Sequence, residues 1–401
     1  MNRLKRQVPT AIFAAFLIAG CTDKTMETDD YATLAQEIAQ KYVLVDGHVD
    51  IPYRIMNRYE DISQRTLGGD FDFVRAKEGG IDAPFMSIYI AKEYQKTGGA
   101  KEHADELIDM VESFQEKWPD KFAIAMSPAD VRANFEKGII SLPLGMENGA
   151  GLEDDLSNLE YFRDRGIRYV TLTHGWDNLI SDSSYDTTNT WMGLSPFGKE
   201  VVREMNRVGI MIDVSHVSDN AFRQAVEISG VPVIASHSSM RHFTPGWQRN
   251  MDDDLLQLLA AKGGVVMINF GSSFLQGEYQ ELGDPIVDAI GSYMEENGID
   301  PESDEGYKYY SEQRTANPIG TVADVVAHID HAVNLVGVDH VGLGSDYDGV
   351  TFLPAGLQDV SEYPNLIEAL LRNGYTESDI AKIMGENILR VWAEVEATAT
   401  K

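Results

Sequence analysis

Short apolar runs recur along the chain, separated by amphipathic stretches. Eight stand out, at 43–46, 85–91, 139–145, 169–173, 210–214, 233–236, 265–270 and 341–344. Runs such as Val-Leu-Val-Asp and Gly-Val-Val-Met-Ile-Asn-Phe show no apolar–polar alternation, the pattern of a strand covered on both faces. The stretches between them carry helix start and stop signals. In 195–209, Ser195 caps, Pro196 fits the first turn, Phe197, Val201, Met205 and Val208 form one apolar stripe, and Gly209 ends it. Ser218 and Asp219 open the next helix in the same way. Strands alternating with helices imply parallel βαβ units, and eight of them predict an α/β protein with a closed (β/α)8 TIM barrel. An open doubly wound sheet is the alternative, weakened because no Gly-rich fingerprint follows the first run. Pro143 sits awkwardly in the third run, since central strands rarely hold proline.

Two insertions are long, 92–137 after the second run and 271–320 after the seventh. The second, rich in Gly, Glu and Tyr, is expected to lie over the carboxyl ends of the strands. A helix is predicted over 32–42, opening a single domain that covers 32–397. Ahead of it, Arg3, Lys5 and Arg6 precede an apolar run at 11–19 and then Gly20 and Cys21, the plan of an export signal. That run is too short for a membrane-spanning helix. Leu17-Ile18-Ala19-Gly20-Cys21 resembles a bacterial lipobox. It predicts removal of 1–20, a lipid anchor on Cys21, a tether over 21–31, and attachment in a bacterial cell envelope, facing the periplasm or the outside.

Composition narrows the function. Apolar residues make up 43% of the chain, enough for a large buried core, and a net charge of −31 argues against nucleic acid as a partner. Cys21 is the only cysteine, so intrachain disulfides and thiolate metal sites are ruled out.

Barrel enzymes place their chemistry at the carboxyl ends of the strands, and there the apolar runs are interrupted by ligand-type side chains. The first ends in His48 and Asp50, the third in Glu147, the fourth in His174, the fifth in His216, the sixth in His237 and the eighth in Asp346. His48 and Asp50, two apart on an extended chain, point the same way and can share an ion. Any one of these residues alone reads more simply as a hydrogen-bonded core histidine or a helix cap. With four of the nine histidines at strand ends, the set reads as a metal site. Nitrogen and oxygen donors suit zinc, manganese or a similar divalent ion with an open catalytic position. His103, His242, His328, His331 and His340 fall outside the pattern and receive no role.

The ordered set of Asp-Gly-His-Val-Asp, Gly-Met-Glu-Asn-Gly, Tyr-Val-Thr-Leu-Thr-His, Ile-Asp-Val-Ser-His-Val-Ser-Asp, Val-Ile-Ala-Ser-His-Ser-Ser, the Arg249-Asn250 pair and His-Val-Gly-Leu-Gly-Ser-Asp-Tyr-Asp-Gly resembles the membrane (renal) dipeptidase family of amidohydrolase-like barrels. The resemblance runs from about Val43 to Val391. It implies a dipeptidase with two divalent ions, zinc above all. His48 and Asp50 would hold one ion, His216 and His237 the other, and Glu147 would bridge them. By the same resemblance His174 contacts the scissile carbonyl, Arg249 clamps the substrate carboxylate and Asp346 is the acid/base. It further implies dipeptides with a D-residue and β-lactams as substrates, and a homodimer. Two such ions would bring a shared water to ionise near neutral pH.

Val49, Asn148 and Gly175-Trp176 depart from the family pattern, and the departures are expected to bear on substrate preference. Two other readings compete: another binuclear amidohydrolase-like hydrolase, such as a lactonase or deacetylase, and a lipoprotein that binds peptides without cleaving them. The first usually begins with a His-x-His motif and a modified lysine bridge, which this chain lacks. The second sits poorly with a full set of ligands plus Asp346.

Overall fold

The computed structural model describes residues 28–400, so the signal segment and Cys21 lie outside the described residues. Among the described residues ten strands occur in chain order: β1 Leu44–Val49, β2 Ile81–Tyr89, β3 Phe122–Ile124, β4 Ile140–Leu142, β5 Leu144–Glu147, β6 Ile167–Thr171, β7 Met211–Asp213, β8 Ile234–Ala235, β9 Val265–Ile268 and β10 Val341–Leu343. Eight of them close a parallel barrel in the order β1-β10-β9-β8-β7-β6-β5-β2. Every barrel strand but β2 is buried at all positions, and only Tyr89 at the end of β2 is partly open. That burial explains why the runs lack alternation.

The third apolar run differs from its prediction as one strand. It breaks at Pro143 into β4, which pairs in parallel with β3 outside the barrel, and β5, which takes the barrel position. Proline has no N–H for a central ladder, so the chain changes sheets there. The strand β3 lies inside the 92–137 insertion, which is therefore a folded unit with helices Ala100–Lys117 and Pro128–Phe135. The first helix, Thr28–Lys41, starts inside the stretch read as a tether.

Side chains fill the barrel. Val45, Ala83, Phe85, Tyr169, Met211 and Met267 form an inner cluster with Trp392 of the last long helix, whose ring lies 5.4 Å from Phe85 and stops the amino-terminal end. Gly145 on β5 is required here: a Cβ would fall 2.0 Å from the ring of Tyr169. Helix Pro196–Val208 has the predicted cap, with Ser195 accepting from the Gly198 N–H, and Gly209 closes it at φ +78.

Asp82 is an ionisable group near the start of β2, 5% exposed, with Oδ2 accepting the Leu44 N–H at 3.0 Å. Burial pushes its carboxyl up from 3.8 to about 7. The folded state thus holds a proton that the unfolded chain has released, and this stabilisation, present at acid pH, is lost as pH rises through about 7. Asp82→Asn keeps an acceptor for Leu44. The denaturation midpoint of the wild type should fall relative to this variant between about pH 4.5 and about pH 8; a pH-independent difference would contradict the assignment.

Candidate active site

The carboxyl end of the barrel brings together every metal-ligand candidate. His48 and Asp50 come from the end of β1, Glu147 ends β5, and His216 and His237 follow β7 and β8. Three groups of ligand atoms lie within 4.8 Å of one another among the described residues: His48 with Asp50 and Glu147, Glu147 with His216 and His237, and His48 with His237 and Asp346. All these side chains are buried.

Three of the four imidazole–carboxylate separations exceed hydrogen-bond length, and the His216 contact falls within it. His48 Nε2 lies 3.4 Å from Asp50 Oδ2 and 3.4 Å from Glu147 Oε2. Glu147 Oε1 lies 3.1 Å from His216 Nε2 and 3.4 Å from His237 Nε2. Two donors on one tetrahedral zinc, each bonded at about 2.1 Å, stand roughly 3.4 Å apart.

The proton inventory points the same way. Tyr169 spends its hydroxyl proton on Gly47 O, so its oxygen accepts from His48 Nδ1 at 2.7 Å, and His48 Nε2 faces the carboxylates with no hydrogen-bond partner. Ser236 Oγ donates to Asp213 Oδ2 at 2.6 Å and accepts from His237 Nδ1 at 2.8 Å. Arg249 Nη2 donates to His216 Nε2 at 3.0 Å, and His216 Nε2 stands 2.7 Å from His237 Nε2. His216 Nε2 is thus taken by the Arg249 N–H and lies at hydrogen-bond distance from His237, while His48 Nε2 stands bare before the carboxylates; together these nitrogens and the shared carboxylate form a donor set that a cation can occupy. His48 and His237 are each aimed by a partner on the far nitrogen, as metal-binding imidazoles are, whereas His216 Nδ1 has none.

Burial, then Arg249 and His174, holds His216 well below the usual imidazole range; burial, then His48 and Arg249, does the same to His237. Both are thus neutral, the form that binds metal. Burial alone would raise Glu147, yet the surrounding imidazoles, His48 first, hold it well below the carboxylate range. His48 moves well upward against its burial because Tyr169, Glu147 and Asp50 face it.

Asp346 adopts φ +65 and sits beside the cluster, with Oδ2 accepting from Asn269 Nδ2 at 2.7 Å. Burial, then the Asp50 charge, raises its carboxyl to about 7, the range of a proton carrier at neutral pH. A Cβ on Gly349 would fall 2.2 Å from Asp50 Oδ2 and 2.5 Å from Asp346 Oδ1, so that glycine keeps the space beside both open. His174 Nε2 stands 3.7 Å from Glu147 Oε1, with burial lowering its pKa and its ring edge-on to Tyr89 at 5.0 Å. Arg249 is 2% exposed and bonds Ser238 Oγ and His237 O, leaving Nε without a partner.

Asp50, Glu147, His174, His216 and Asp346 open into a cavity of about 860 Å3. Its outer wall comes from the 271–320 insertion, as the sequence predicted, through Phe274, Tyr279, Asp284, Asp288 and Tyr310. Arg249 lies behind this lining. The three departures from the family pattern also miss the cavity. Val49 is in the core. Asn148 takes φ +82, with its side chain accepting from the Ala150 N–H and donating to Ile90 O. Trp176 lines a separate cavity with Lys96 3.6 Å from its ring.

Sequence reasoning missed the residues that aim the ligands: Tyr169, Asp213, Ser236 and Asn269. Asp213 alone carried a signal, as a charge inside an apolar strand, which needs buried partners. Of the histidines given no role, buried His328 accepts from Met240 N and contacts Leu275 O, and half-buried His340 pairs with Gly264 O.

The chain matches the family described as membrane dipeptidase over residues 33–401. An uncharacterized dipeptidase of Schizosaccharomyces pombe is 31% identical over 378 residues, covering 90% of this chain and 83% of that one. The crystal structure of the probable dipeptidase PvdM from Pseudomonas aeruginosa superposes with a TM-score of 0.76 at 27% identity, over 92% of this chain and all of the other. A metallo peptidase from Rhodobacter sphaeroides, solved with a phosphinate mimic of L-Ala-D-Ala, shares the fold at a TM-score of 0.72 and 24% identity, over 88% of this chain and 99% of its own.

Tyr169→Phe removes the acceptor that aims His48. It should weaken metal binding by about 10- to 100-fold in a chelator competition while leaving the thermal melt of the metal-free protein nearly in place; unchanged affinity would show that the phenol does not set the ligand.

Proposed function

The chain belongs to the membrane dipeptidase family and is a metal-dependent dipeptidase, and from that premise we propose that it works with two divalent ions, zinc by its donor set, sharing Glu147. The reading is carried by one observation: Glu147 offers Oε2 to the His48 and Asp50 side and Oε1 to the His216 and His237 side, at separations of 3.1 to 3.4 Å. When bound, such a pair polarises a carbonyl and brings water to ionise near neutrality.

The chain's own residues supply the rest. Asp346, held by Asn269 and raised to about 7, takes a proton from the attacking water and returns it to the departing amine. His174, neutral and on the cavity lining, donates toward the oxygen on which charge develops. Arg249 places a buried guanidinium beside His216 with one N–H unpartnered, which favours a substrate carboxylate at that end and so a free C-terminus. Phe274 covers the guanidinium, 5.0 Å from ring centre to Cζ, and limits water there.

The proposal extends to dipeptides with a D-residue at the C-terminal position and to β-lactams, whose cyclic amide presents a similar carbonyl and carboxylate. Anchoring by a lipid on Cys21 in a bacterial envelope rests on the order of basic, apolar and small residues before that cysteine. A homodimer rests on the family resemblance.

The test is turnover of L-Ala-L-Ala and L-Ala-D-Ala by the protein as isolated, after chelation, and after zinc is restored. Activity should vanish and return, and His216→Ala should lower kcat by about 100-fold or more without unfolding the barrel. Turnover indifferent to chelation, or confined to lactones and phosphotriesters, would overturn the reading.

A further inference from the structure

We propose that Tyr185 receives the C-terminal carboxylate of the substrate, its phenol O–H donating to a carboxylate oxygen beside the Arg249 guanidinium. The inference deepens the dipeptidase reading and rests on it. Arg249 carries the positive charge at that end of the site, but it is 2% exposed and does not line the cavity. Tyr185 is 45% exposed and does. On this part of the wall, the polar group open to a ligand in the cavity is the phenol.

The backbone around Tyr185 fixes its place. Ser183 and Val217 form an antiparallel bridge, Ser184 N donates to His216 O at 2.7 Å, and Tyr185 N donates to Ser183 Oγ at 3.1 Å. The loop is thus clipped to the segment that carries His216, and the phenol ring stands 5.8 Å from that imidazole. Trp247 meets the same ring edge-on at 6.2 Å and lies 5.1 Å from Phe274, whose ring is 5.0 Å from Arg249 Cζ. An arc of three aromatic rings therefore borders the guanidinium and limits water there, which strengthens a hydrogen bond made to an anion.

The direction of donation follows from which groups can accept. Burial raises the pKa of the phenol, and Arg249, hydrogen-bonded to it, draws it back, so the phenol keeps its proton at neutral pH. A guanidinium only donates, so the phenol oxygen accepts from Arg249 and its own proton goes elsewhere. No carbonyl or carboxylate among the described residues takes that proton. An O–H polarised by a cation and free on a cavity wall suits an anionic acceptor. A dipeptide places its carboxylate one residue beyond the scissile bond, close to the metal ligands, and His216 is the ligand that both touches Arg249 and faces Tyr185.

The test is Tyr185→Phe in the full zinc-loaded protein, assayed on L-Ala-L-Ala and on L-Ala-L-Ala amide, with the thermal melt checking the fold. On the free acid KM should rise by about 10- to 100-fold while kcat stays within about twofold, as expected for one lost hydrogen bond to a charged group. The loss on the amide should be far smaller. An unchanged KM, a loss carried by kcat, or an equal loss on the amide overturns the role of Tyr185 while leaving the dipeptidase reading intact. Wild-type protein that turns over neither substrate overturns both.

Discussion

One carboxylate organises this molecule. Glu147 is buried at the end of β5 with imidazole nitrogens approaching both its oxygens, and a buried carboxylate is tolerable only where positive charge meets it. Of the imidazoles around it, His216 and His237 are held neutral, the form that receives an ion. His237 is turned by Ser236 and Asp213, His48 by Tyr169, and His216 presents its ring nitrogen beside Arg249. The barrel's contribution is to deliver these groups from β1, β5, β7 and β8 to one point with their lone pairs converging.

That delivery has a conformational cost at the strand ends. Asn148, His216 and Asp346 all have positive φ, an uncommon state for residues with a Cβ and one concentrated at functional sites. Each follows a barrel strand closely, where the chain must leave the wall and turn a side chain inward. The packing below holds these turns: Asp346 N donates to His48 O, and Ser345 N donates to Asp46 Oδ1, tying β10 to β1 across the closure of the barrel. Barrel closure and ligand placement are therefore the same set of contacts, seen from below and from above.

The sequence exposed the ligands more readily than their supports. Seven of the eight barrel strands are apolar runs bounded by polar residues, and the ligand candidates stand where those runs end, so period and position sufficed. The third run misled because Pro143 divides it between two sheets, and a proline marks a break without saying which side continues the barrel. Tyr169 and Ser236 read as ordinary strand residues; what Tyr169 does depends on His48, 121 positions away, and no local pattern encodes that pairing. The cavity wall was legible only as a long insertion over the site. Which of its side chains turn inward depends on helix rotation, visible once Asp284 and Asp288 are placed on one face.

The central claim is that Glu147 is shared by two ions. Anomalous scattering at the zinc edge, from crystals of the zinc-loaded protein, tests it most directly. The account predicts two peaks, one among His48, Asp50 and Glu147 and one among Glu147, His216 and His237. A single peak, or none beside Glu147, would contradict it.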